Sequence, residues 1–95
     1  MEVLRPKAIE THPGDSLVRW ALRQLEIARG ILDNPGGGLL FATQTIGQVR
    51  AALTERDAER WDAAVGLLGR AEDAGVRREF DQARQLLDEA SAKLG

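Results

Sequence analysis

The stretch Val76-Arg77-Arg78-Glu79-Phe80-Asp81-Gln82-Ala83-Arg84-Gln85-Leu86-Leu87-Asp88-Glu89-Ala90-Ser91-Ala92-Lys93-Leu94 decides the fold class. Val76, Phe80, Ala83, Leu87, Ala90 and Leu94 recur at spacings of four, three, four, three and four, and charged residues occupy much of the remainder. A half-buried strand would alternate every second residue, whereas this period lays one stripe along an α-helix. It predicts an amphipathic helix that presents a thin, alanine-containing seam to a core.

The same period recurs upstream in three further segments. Ala58, Trp61, Ala64, Val65, Leu68 and Ala71 point one way and Glu59, Asp62 and Arg70 the other, with Gly75 placed to end that helix in a left-handed turn. Before it, Leu39, Ala42, Ile46, Val49 and Leu53 form a narrow seam flanked by Phe41 and Ala52, while Thr43, Gln44 and Gln48 face outward or line a partner. Continuing this seam past Leu53 lands on Arg56 and Arg60, so the phase changes. A turn or kink near Thr54 is therefore predicted, with Thr54 capping the next helix and Asp57 at its third position; one unbroken rod is the alternative.

Val18, Leu22, Leu25, Ala28 and Leu32 make the first helix face, which starts after a cap at Asp15 or Ser16 and ends at Asn34-Pro35-Gly36-Gly37-Gly38. Leu17, Trp20, Ile27 and Ile31 widen its apolar arc, so this helix is expected to be the most buried element. Residues 1–14 contain Pro6 and His12-Pro13-Gly14, which exclude a continuous helix; Val3, Leu4 and Ile9 among them are apolar and could dock on the bundle or pair with a second subunit. The expected architecture is all-α: a small antiparallel four-helix bundle made of two helical hairpins, with an irregular arm over 1–14 and a single domain over 15–95.

With 95 residues, the chain accommodates one core. Hydrophobic residues are 43% but aromatic residues only 4%, which makes that core thin and self-association a natural source of further buried surface. Thirteen basic and fifteen acidic residues give a net charge of −2, too little to draw the chain to nucleic acid or an anionic membrane by field alone. The absence of cysteine excludes disulfides and thiolate metal sites. Met1 to Pro6 lacks a basic-then-apolar leader and no apolar run reaches the ~20 residues of a spanning helix, so a soluble, cytoplasmic protein without membrane contact is expected.

Chemical motifs fail their spacing tests. His12, the sole histidine, sits in a turn, and no Glu-x-x-His pair supplies a metal set. The triple glycine has neither the lysine nor the preceding strand of a phosphate loop. Carboxylates such as Glu59, Asp62, Glu72, Asp73, Asp81, Asp88 and Glu89 interleave with arginines at one-turn spacing, as a solvated face requires. No enzyme activity, cofactor or metal is expected. In outline, the last two helices resemble a tetratricopeptide unit, through Trp61 and Phe80-x-x-Ala83 with Leu87 and Ala90. The glycine and closing proline of that pattern are missing in register, so the likeness is one of shape and implies no family.

Two features point to binding. Gly30, Gly47, Gly66 and Gly69 lie inside helical patterns, each costing about 1 kcal/mol relative to alanine, and glycine permits close helix approach. The breadth of the first helix's apolar arc exceeds what one small bundle encloses. Trp20, Ile27, Ile31, Trp61 and Gly66 are thus the expected interface residues of a protein-protein interaction or oligomerisation module, whose partner is a second copy or another protein. The alternative is nucleic-acid binding through Arg77, Arg78 and Arg84, opposed by the acids of the same helix.

Overall fold

The computed structural model describes residues 13–95, with side chains described from Ser16 onward. The reading of an irregular arm falls, through His12, outside the described residues. Four helices follow in order: α1 (Pro13–Asp33), α2 (Leu39–Asp57), α3 (Asp62–Val76) and α4 (Phe80–Leu94). Neighbouring helices are antiparallel; α2 packs on α1 and α3, and α4 packs on α3 and α1, which closes the ring. This is the all-α, antiparallel four-helix bundle that the four seams predict, and among the described residues there is no strand.

The core lies where the seams meet. Leu25, Leu32, Ile46, Val49, Leu53, Leu68 and Leu87 are its largest fully enclosed side chains, and eight of its eighteen buried apolar residues are alanine. Alanine lets the helices approach closely but contributes little area, roughly one methyl each. The single buried polar side chain in this set, Thr45, donates its hydroxyl to the Phe41 carbonyl at 2.8 Å.

The helix ends depart from the sequence expectations. α1 begins at Pro13, ahead of the proposed caps Asp15 and Ser16, because proline suits a first turn whose N–H groups have no helical partner. Nor is α1 the most buried helix: Ala21, Leu25, Ala28 and Leu32 are enclosed, but Leu17, Val18, Trp20, Leu22 and Ile31 are only partly covered and Ile27 is exposed. Between α1 and α2, the amide of Gly38 donates to the Pro35 carbonyl at 2.6 Å, and Gly36 takes the left-handed φ of +48° that the turn demands.

A break does separate α2 from α3, but at Ala58–Trp61 rather than at Thr54. The Thr54 hydroxyl bonds back to the Arg50 carbonyl at 2.9 Å, which keeps it inside α2. Asp57 stops the helix instead, accepting the Arg60 amide at 3.1 Å, and Ala58, expected inward, is exposed. Trp61 then turns into the core.

At the other junction, Gly75 is a buried helical residue and not the stop. A Cβ there would lie 3.3 Å from Thr43 Cγ2 and 3.9 Å from Leu39 Cδ1, so its bare backbone admits the start of α2. The left-handed residue is Arg78, at φ 63°. The Glu79 amide reaches the Ala74 carbonyl at 2.8 Å and the Arg78 amide reaches Gly75 at 3.0 Å, the paired bonds of a Schellman stop. Consequently Val76 closes α3 and does not open the last helix.

Candidate interaction surface

Among the described residues, four large apolar side chains stand exposed: Ile27 at 44%, Leu40 at 68%, Phe41 at 58% and Val76 at 69%. The fold brings them to one end. Gly38, which caps α2, lies against α1, since a Cβ there would come 2.9 Å from Ile31 Cγ2. Ile27 is one turn before Ile31 on the same side of α1. Gly75, beside Val76, lies against Leu39 and Thr43, beside Leu40. The second half of α1, the first turn of α2 and the last turn of α3 therefore form one apolar end of the bundle.

From there the surface continues along α2. Residues Leu39 to Val49 include no charge, and Gln44 and Gln48 lie exposed one and two turns beyond Leu40. Thr43 donates its hydroxyl to the Leu40 carbonyl at 2.9 Å, as Thr45 does to Phe41, which satisfies the hydroxyls internally. The exposed residues of this stretch, Leu40, Phe41, Gln44 and Gln48, carry no charge, which matches the charge-poor centre of protein interfaces.

The five expected interface residues divide. Trp20 and Ile31 are half-buried and Ile27 is exposed, on the side of α1 that borders α2. Trp61 instead lies in the core at 6% exposure, with its Nε1–H lacking an acceptor among the described residues and the Arg60 guanidinium 4.5 Å over its ring. It holds the inward place that the seam with Ala64, Leu68 and Ala71 gives it. Gly66 is exposed, and an added Cβ would meet nothing within 4 Å. Of the four interior glycines, those at a helix contact are Gly47, where an added Cβ would lie 3.4 Å from Glu72 Oε1, and Gly69, where it would lie 3.9 Å from Arg50 Cδ. Leu40 and Val76 escaped the sequence reading because one lies off the seam and the other was assigned to the wrong helix.

Charged side chains gather on the α4 side of the same end and along the α1–α4 and α2–α3 contacts, and they largely satisfy one another. Arg50 Nε donates to Glu72 at 2.5 Å across α2 and α3, and this hydrogen bond raises the guanidinium's pKa. Arg29 Nε donates to Asp88 Oδ1 at 2.7 Å across α1 and α4; the bond holds the Asp88 carboxyl below its usual range, against a smaller opposing effect of burial. Arg84 donates to the Leu32 carbonyl at 3.1 Å, closing the end of α1, and pairs with Asp33 at 3.4 Å and with Asp81. Arg77 pairs with Glu79 at 3.2 Å, while Arg78 holds the turn. The basic trio is thus assembled at one corner but interleaved with carboxylates.

That corner also borders an open depression of about 630 Å³ between the end of α1 and the start of α4; Asp33, Glu79, Asp81 and Arg84 line it with Pro35 and Phe80. It is wide open to solvent, unlike the enclosed clefts that hold small substrates. Among the described residues no cluster of histidine and carboxylate side chains is arranged to hold a metal, and no helix is long and apolar enough to cross a membrane. His12 lies outside the described residues. No family model, curated protein or solved structure matches the chain.

Proposed function

We propose that this protein is a helical interaction module that binds a protein partner, a second copy included, through its apolar end. One observation carries the reading: Ile27, Leu40, Phe41 and Val76, exposed on three different helices, are gathered beside an uncharged stretch of α2. Isolated surface hydrophobics are ordinary, but several at one place on so small a surface mark a site of association. Trp20 and Ile31 border this surface from α1, and Trp61 serves the core that holds the helices in place. The role is binding, without catalysis or a cofactor. Nucleic-acid binding through Arg77, Arg78 and Arg84 draws less support, since Arg77 and Arg84 already face carboxylates.

The test is a charge-introducing triple variant, Leu40→Glu with Phe41→Glu and Val76→Glu, compared with the parent for self-association by light scattering and for capture of proteins by an immobilised chain. All three positions are exposed, so helicity should be retained. Association that disappears in the variant supports the proposal. Equal behaviour of parent and variant in both assays removes it, and tight, salt-sensitive binding of a DNA duplex would put the arginine corner in its place.

A further inference from the structure

The outer face of α2 is complementary to itself. Leu40, Phe41, Gln44, Gln48 and Ala51 are exposed along it, large at the start and small at the end, with two amides between. Set against a second α2 running the opposite way, with Gln44 opposite Gln48 of the copy, Phe41 falls over the copy's Ala51. Each amide then meets an amide, which both donates and accepts, and each Phe41 ring meets a methyl. A two-fold axis repeats every contact, as an isologous interface requires. Arg50, the one charge between Leu39 and Thr54, is turned aside to Glu72, so no like charges are brought together.

The area also fits. From their exposures, Ile27, Leu40, Phe41 and Val76 offer roughly 400 Å² of apolar surface, taking about 150–200 Å² per full side chain. An interface of standard size buries about 800 Å² per partner, a little over half of it apolar, or roughly 450 Å². The apolar end alone therefore supplies most of the apolar share that a stable dimer needs.

We infer that the occupant of this surface is a second copy of the chain, packed α2 against α2 in antiparallel, two-fold fashion. The inference rests on the interaction-module reading and adds the partner and the register.

Because the chain has no cysteine, introduced thiols report the geometry directly. Sedimentation of the full chain from 5 to 500 µM should show a dimer, and Phe41→Glu should raise its dissociation constant at least tenfold with helicity unchanged. The double variant Gln44→Cys with Gln48→Cys should form an interchain disulfide on mild oxidation, faster than Ala63→Cys on the exposed side of α3. A monomer at every concentration overturns the second-copy inference, while the interaction-module reading stands if capture of another protein is lost in the triple variant. A dimer indifferent to Phe41→Glu and cross-linked best through Ala63→Cys overturns both.

Discussion

Arg78 offers a test of how the α3–α4 junction is held. It occupies the left-handed position of the Schellman stop at φ 63°, where an L side chain costs about 1–2 kcal/mol through the approach of Cβ to the following carbonyl. Glycine carries no such cost but loses more freedom on folding, by about 0.5–1 kcal/mol. The difference predicts that Arg78→Gly stabilises the bundle by about 0.5–1 kcal/mol. For a chain of 95 residues that corresponds to a rise in Tm of roughly 3–6 °C. Arg78→Ala separates backbone from side chain: it keeps the Cβ and removes the guanidinium, so it should leave stability within about 0.5 kcal/mol of the parent. Urea titration followed by circular dichroism measures all three. Should Arg78→Gly prove neutral or destabilising, or should alanine stabilise as much as glycine, the assignment of the strain to the left-handed backbone is refuted.

Other outcomes follow from the same contacts. Gly66→Ala, on an open helical surface, should stabilise by about 0.5–1 kcal/mol, whereas Gly75→Val, pressed on Thr43 and Leu39, should destabilise by about 1–3 kcal/mol; thermal melts distinguish them. Trp61→Ala should cost about 3–5 kcal/mol, and Trp61→Phe much less, because phenylalanine refills most of the space and removes a buried donor that has no acceptor. In single-tryptophan variants, Trp61 should emit at shorter wavelength and resist acrylamide quenching more than Trp20. The lowered Asp88 pKa contributes stability that is complete above the ordinary carboxyl value of 3.8 and is lost as pH falls through the lower folded-state value. Acid titration of Asp88→Asn should therefore lose less stability below pH 3.8 than the parent does.

Helix faces were legible because burial imposes a period. Leu25, Ile46, Leu68 and Leu87 each sit on a seam that the spacing alone marks out, and all four are enclosed. Helix ends were less legible because several residues compete for each role there. Thr54 and Asp57 are both competent caps; the outcome turned on Thr54 bonding back into its own helix and on Trp61 finding the core. Gly75 and Arg78 exchanged their expected roles for a tertiary reason: the bare backbone was needed against Thr43, so the left-handed turn fell three residues later on an arginine.

The candidate surface was half visible. The excess breadth of the α1 arc pointed to Trp20, Ile27 and Ile31, and the outward glutamines of α2 were read as solvent-facing or partner-lining. Phe41 was seen only as a flank of a seam, and Val76 as the start of a helix it does not belong to. What unites them is the antiparallel topology, which brings residues 31, 40 and 75 to one end although they are far apart in the chain. No local pattern encodes that meeting.

The central claim is that this apolar end is where the protein associates. Its most direct test is a dilution series of amide NMR spectra on the unmodified chain, from about 1 mM to 10 µM. The account predicts that the resonances that move belong to the outer face of α2 between Leu40 and Ala51, with Ile27 and Val76 beside it. Movement confined to the charged surfaces of α3 and α4, or no movement at all, would contradict it.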